Sequence, residues 1–74
     1  MPNEIKLDLH GVKHEDVKRE IIKFIESHWF DDPMPELIII TGHSNKMIEI
    51  VTEVIGEYQL EWDYGLRHSY LRIL

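Results

Sequence analysis

Two short stretches of this chain concentrate residue types that can do chemistry. In "LDLHG", residues 7–11, Asp8 and His10 stand two apart, the spacing that puts both side chains on one face of a strand. A carboxylate beside an imidazole fixes its tautomer and stabilises its protonated form, as an acid/base pair requires. In "TGHSNK", residues 41–46, a turn leads toward a helix whose first backbone N–H groups suit an anion such as phosphate. An oriented histidine, an anion cradle and nearby cations are the parts of a site that cleaves phosphodiesters. A metal site is not expected, because His10 and His14 straddle a glycine turn and no convergent ligand set accompanies them.

The elements that must hold these residues follow from periodicity. Ile5, Leu7 and Leu9 alternate with Glu4, Lys6, Asp8 and His10, the period-two pattern of a half-buried strand that Gly11 ends. From His14 to about Phe30, the residues Val17, Ile21, Phe24, Ile25 and His28/Trp29 recur at helical spacing, with Glu15 and Asp16 in the first turn, where the helix dipole favours negative charge. "DDPMPE" (31–36) breaks the chain, and "LIIIT" (37–41) is a β-branched run suited to an interior parallel strand. A second helix is expected over roughly 46–58, burying Met47, Val51, Val54, Ile55 and Tyr58, with Ser44 or Asn45 as N-cap. Gly56 should fray its last turn. "QLEWDY" (59–64) and "SYLRIL" (69–74) read as strands joined by "GLRH" (65–68).

The order βαβαββ implies right-handed parallel crossovers and a last strand antiparallel to the third. The expected architecture is a two-layer α/β sandwich, a four-stranded mixed sheet with two helices on one face. Strands one to three then end along one rim, the usual ligand-binding edge of an open α/β sheet. That rim collects Gly11, Lys13, Thr41, Gly42, His43, Ser44, Asn45, Lys46, Arg67 and His68 around Asp8 and His10. Tyr64 and Tyr70 flank it and are candidate base-stacking residues, although packing is the commoner role of such rings.

Bulk properties bound the function. The 74 residues make a single domain spanning 1–74, with 43% hydrophobic and 30% charged residues, the composition of a globular protein. There are no cysteines, which removes disulfides and thiol chemistry and points to a reducing, cytoplasmic compartment. The start "MPNEIK" lacks the apolar stretch of a secretory signal, and no apolar run is long enough to span a bilayer. A net charge of −6 argues against tight, sequence-independent nucleic-acid binding. It leaves room for a locally positive rim, because Lys13, Lys46 and Arg67 gather there with His10, His14, His43 and His68.

"LDLHG" in first-strand position, an amphipathic helix, a strand ending "ITG" (40–42), a second helix and a terminal strand pair together resemble the Smr (small MutS-related) domain. The similarity covers about residues 5 to 74 and suggests a short stand-alone version. The resemblance implies a fold similar to the C-terminal domain of translation initiation factor 3 and endonuclease activity on RNA or DNA. The first motif carries over to Asp8, His10 and Gly11. The second, usually Thr-Gly-x-Gly, carries over to Thr41 and Gly42, with Ser44 where the second glycine stands. On this reading His10 is the acid/base group oriented by Asp8, and Thr41, Gly42 and the N–H groups of Ser44 to Lys46 hold phosphate. Lys13, Lys46 and Arg67 supply charge. No cofactor is evident, the divalent-metal requirement is open, and the expected partner is RNA or DNA, including a ribosome or other nucleoprotein, met by a monomer away from any membrane. The alternatives are a non-catalytic nucleic-acid or ribosome-binding module and a small protein-interaction domain whose acidic helices meet a basic partner.

Overall fold

Residues that alternate in polarity pair into strands, and those with apolar spacings of three and four wind into helices. The computed structural model describes residues 4–31, 35–65 and 69–74. Its elements are β1 (Glu4–Asp8), α1 (His14–His28), β2 (Glu36–Ile40), α2 (Asn45–Glu57), β3 (Trp62–Tyr64) and β4 (Tyr70–Ile73). The sheet order is β1-β2-β4-β3. β1 and β2 are parallel, with Leu7 opposite Ile39, whereas β4 is antiparallel to both β2 and β3. β1, β2 and β3 therefore point the same way, as the order of elements predicts, and β1 and β3 are the open edges.

One face of this sheet carries Leu9, Leu37, Ile39, Leu71 and Ile73 into the core, where they meet Val17, Ile21 and Ile25 of α1 and Met47, Val51, Val54 and Ile55 of α2. Both helices thus cover the same face, and a single apolar cluster holds the two layers together. Ile5 and Leu7, on the edge strand, pack against it while only partly buried. Fully burying one such side chain contributes about 1.5–3 kcal/mol. The other face is mixed, with Ile38, Ile40 and Tyr70 among charged groups that are largely paired with one another. In register across it lie Lys6, Ile38, Arg72 and Asp63. Arg72 donates two hydrogen bonds to Asp63, at 3.2 and 2.8 Å, and meets Glu36 at 3.5 Å. Asp63, by hydrogen bond and by charge, holds the Arg72 pKa above its usual value. Lys6 pairs with Glu4 at 3.4 Å.

The helix ends differ slightly from expectation, each for a local reason. α1 stops at His28 because the chain tightens: Trp29 N–H donates to the Glu26 carbonyl and Asp31 N–H to the His28 carbonyl, while the His28 ring bonds the Asp31 carboxylate at 2.8 Å. His28 also meets Phe24 edge-on, with ring centroids 5.7 Å apart, and its role is structural. α2 runs through Gly56 and ends at Glu57, one residue short of the expected end. It ends in a Schellman motif, in which Gln59 N–H bonds the Gly56 carbonyl and Leu60 N–H the Ile55 carbonyl. Gln59 takes φ +57° there, so β3 cannot begin at Gln59 and starts at Trp62 instead. Among the described residues, no helix is long and apolar enough to cross a membrane.

Candidate functional site at the strand C-terminal rim

At the rim, the ends of β1 and β2 are each shaped by a glycine and nearby polar side chains. Beyond β1, Leu9 extends the ladder by donating its N–H to the Ile40 carbonyl at 3.1 Å. The chain then reverses: Val12 N–H bonds the Leu9 carbonyl at 3.0 Å, and Gly11 has φ +81°. This is the signature of a type II turn, whose third residue requires positive φ. His10 occupies the exposed corner of that turn. Leu9, with no exposed surface, is the anchor beneath it.

Asp8 acts on this turn through the backbone. Its carboxylate accepts the His10 backbone N–H at 2.8 Å, closing an Asx-type turn. The sequence reading pairs Asp8 with the His10 imidazole. In the structure the carboxylate instead holds the peptide that carries the ring, and among the described residues no hydrogen bond reaches the imidazole. Asp8 thus fixes the backbone that carries His10.

Beyond β2, Thr41 and Gly42 are tied to the start of the last strand. The Ser69 carbonyl accepts both the Thr41 N–H, at 3.2 Å, and the Gly42 N–H, at 2.9 Å. Thr41, only 8% exposed, donates its hydroxyl to the Gly42 carbonyl at 3.0 Å. Thr41 and Gly42, expected to hold phosphate, therefore have their amides engaged within the fold, where they fix the turn that precedes α2. Gly42 adopts φ +65° to make that turn. Ser44 is the N-cap of α2, and its side chain accepts the Met47 N–H at 3.2 Å. Asn45 and Lys46 open the first turn, where backbone N–H groups have no partner within the helix. His43, Ser44, Asn45 and Lys46 are all exposed.

The first helix starts at the same rim. Lys13 is its N-cap and makes no side-chain cap, and the amides of His14 and Glu15, in the first turn, have no partner within the helix. Val12, Lys13, His14 and Glu15 line an open depression there. Because β1 and β2 are parallel neighbours and each runs into a helix, both helix N-termini, and the partial positive charge each carries, lie on one edge of the molecule. Lys13 and Lys46 stand at those two ends. The edge thus gathers backbone donors, two lysines and an exposed imidazole, together with the carboxylates of Asp8, Glu15 and Asp16; its groups suited to an anion are the helix starts and the lysines.

Two of the expected site residues, Arg67 and His68, lie outside the described residues. The flanking aromatics separate onto different faces. Tyr64 is in register with Leu71 on the helix side, stacked edge-on against Trp62 at 5.0 Å. Tyr70 lies on the open side in register with Ile40, and its ring covers Gly65, leaving no room for an added Cβ. Sequence reasoning did not anticipate the part played by Ser69, whose carbonyl gathers both turn amides; a backbone acceptor leaves no trace in residue type. Among the described residues no group of three or more His, Asp or Glu side chains is placed to hold a metal ion. No family model, curated protein or solved structure matches the chain.

Proposed function

We propose that this rim binds the phosphodiester backbone of RNA or DNA, and that the domain is an Smr-like endonuclease in which His10 moves protons. The observation that carries the reading is the turn at Leu9–Val12: Asp8 and Gly11 shape it, it projects His10 from the edge at which both helices begin, and its resemblance to the Smr first-strand motif adds to this. Neutral His10 takes the proton of the attacking hydroxyl, the 2′-OH of RNA or a water for DNA. A new P–O bond forms and the bond to the leaving oxygen breaks; that oxygen receives a proton from the imidazolium or from solvent. The helix N-termini and Lys13 and Lys46 offset the charge that builds on the phosphoryl oxygens. The mixed face beside the rim, where Arg72 and Lys6 are already ion-paired, contributes little net charge, so contact is concentrated at the edge. The cysteine-free composition supports action in the cytoplasm, and the proposal takes the domain to act as a monomer.

Two observations favour a second reading, a non-catalytic nucleic-acid or ribosome-binding module. The Asp8 carboxylate holds a backbone amide, and the Thr41 and Gly42 amides are already engaged. One experiment separates the readings. Labelled RNA and DNA are incubated with the protein, with and without magnesium or manganese, while amide shifts are followed with a short oligonucleotide at several salt concentrations. The endonuclease reading expects cleavage that His10→Ala abolishes without loss of binding. Binding at the His10, Ser44 and Lys46 amides with no cleavage leaves the module. Binding that ignores salt removes phosphate recognition altogether.

A further inference from the structure

The helices that begin at the rim end together on the far side of the molecule, and both end in aromatic residues. Trp29 is the C-cap of α1 and Tyr58 the C-cap of α2. Their rings lie 5.6 Å apart, tilted by 49°. Phe30 follows Trp29 and is 92% exposed, while Trp29 is 41% exposed. One turn before Trp29, Glu26 accepts a hydrogen bond from the Tyr58 hydroxyl at 3.4 Å. These four side chains line an open depression of about 340 Å³.

We infer that this depression is a docking site for an arginine side chain on a basic segment of a partner protein. Three attractions coincide there. Aromatic faces draw a cation through their quadrupoles. Glu26 supplies a carboxylate at the edge of the same rings. Both helix C-termini point here with their partial negative charges; the last turn of α2 carries no basic residue, and the one in the last turn of α1, His28, is bonded to the Asp31 carboxylate. Partial burial first, and the Glu26 carboxylate second, hold the Tyr58 phenol above its usual pKa, so the ring stays neutral.

The geometry selects among occupants. A generic apolar partner would gain from Phe30 and Trp29 but would strand Glu26 against it. A second copy of this chain would bring Glu26 against Glu26 in a protein of net charge −6, which works against self-association. The depression is open and its two paired rings are tilted, so it suits a flat guanidinium that stacks on one ring and forks to the carboxylate better than a compact ammonium. The site lies at the opposite end from the rim, so a nucleic acid and a basic protein segment can be held together.

The test uses the whole chain, isotopically labelled, and a pentapeptide with arginine at its second and fourth positions and glycine elsewhere. The expected result is a set of shifts at the Trp29 indole N–H and the Glu26, Phe30 and Tyr58 amides, with those of Gly11 and Lys46 unmoved. Replacing arginine by citrulline, the same shape without charge, should abolish them, and the lysine peptide should bind more weakly. Trp29→Ala should weaken binding about tenfold and Glu26→Gln about threefold. Phe30→Ser, at a residue with almost no packing to lose, should weaken it in a protein that is still folded. Equal binding of the citrulline peptide, shifts centred elsewhere, or self-association that Phe30→Ser removes would each overturn the inference. Oligonucleotide binding at the rim is read separately, so its failure and this one are distinguishable.

Discussion

The two ends of the sandwich expose different chemistry, although both are made by the same pair of helices. At the rim the chain turns on glycines with positive φ, Gly11 and Gly42, and shows lysines, histidines and helix N-termini. At the far end it shows Trp29, Phe30 and Tyr58 beside Glu26. Helices that run antiparallel to their strands must start at one edge and finish at the other, so the backbone alone makes one end electropositive and the other electronegative. The side chains follow that polarity only in part: Lys13 and Lys46 stand at the starts and Glu26 near a finish, but Glu15 and Asp16 share the first turn of α1 and Glu57 is paired with Lys18. The aligned helix starts are therefore what a chain of net charge −6 offers to a polyanion at that edge.

The largest expected difference between the ends is in chemistry. His10→Ala should lower phosphodiester cleavage by about a hundredfold or more, measured on labelled RNA and DNA, whereas Phe30→Ser should leave the rate unchanged. Thermal melting should place both variants within about 0.5 kcal/mol of the parent, because both side chains are exposed. A His10→Ala protein that cleaves normally would erase the contrast.

Next in size is the dependence of the rim on the core. Leu9 is completely buried one residue before the exposed histidine, so the turn can be no firmer than its anchor. Leu9→Ala should cost about 2–5 kcal/mol by urea denaturation. Its amide exchange should quicken at Leu9 and Val12 before it does at Trp29 and Tyr58. Equal loosening of both ends would mean that the turn is held by the core as a whole.

Much of this polarity is legible in the residues. The alternation through Leu9 and the β-branched run 37–40 define strands whose partners need a sheet, and the apolar spacings in α1 and α2 define the faces that cover it. The N-cap expected at Ser44 or Asn45 is a side-chain signal, and it falls at Ser44. What does not read is whatever the backbone does with backbone. The Ser69 carbonyl that engages Thr41 and Gly42 depends on β4 lying between β2 and β3, an order that local patterns do not encode. The choice of Asp8 for a peptide N–H over an imidazole is likewise a matter of ångströms. Gln59 hides the end of α2 because it takes a conformation normally announced by glycine. The spacing places Trp29 on the apolar stripe of α1; in the structure it caps the helix, half exposed, with its ring against Tyr58.

Gly42 and Gln59 allow the same backbone conformation to be tested at both ends. Gly42, at φ +65°, has nothing within 4 Å of where a Cβ would sit, so Gly42→Ala introduces strain and no collision. The expected cost is about 1–2 kcal/mol, read from denaturant midpoints, with Gly42→Asn milder because asparagine tolerates this region.

At the far end the sign should reverse, by a smaller amount. Gln59 already bears the left-handed strain at φ +57°, and it does so to let its own N–H and that of Leu60 close the Schellman motif. Gln59→Gly removes the clash between Cβ and the following carbonyl. It also gives the unfolded chain more freedom to lose, which offsets about 0.5–1 kcal/mol of the gain. The net stabilisation should be about 0.5 kcal/mol, seen as a higher urea midpoint with an unchanged slope. Because Gln59 is exposed and adjoins Tyr58, the variant should keep the aromatic depression intact, with the Trp29 indole resonance in place. A loss of stability at Gln59→Gly would show that the glutamine side chain contributes more at that corner than its backbone costs, and the far end would then owe its shape to contacts that the turn geometry alone does not supply.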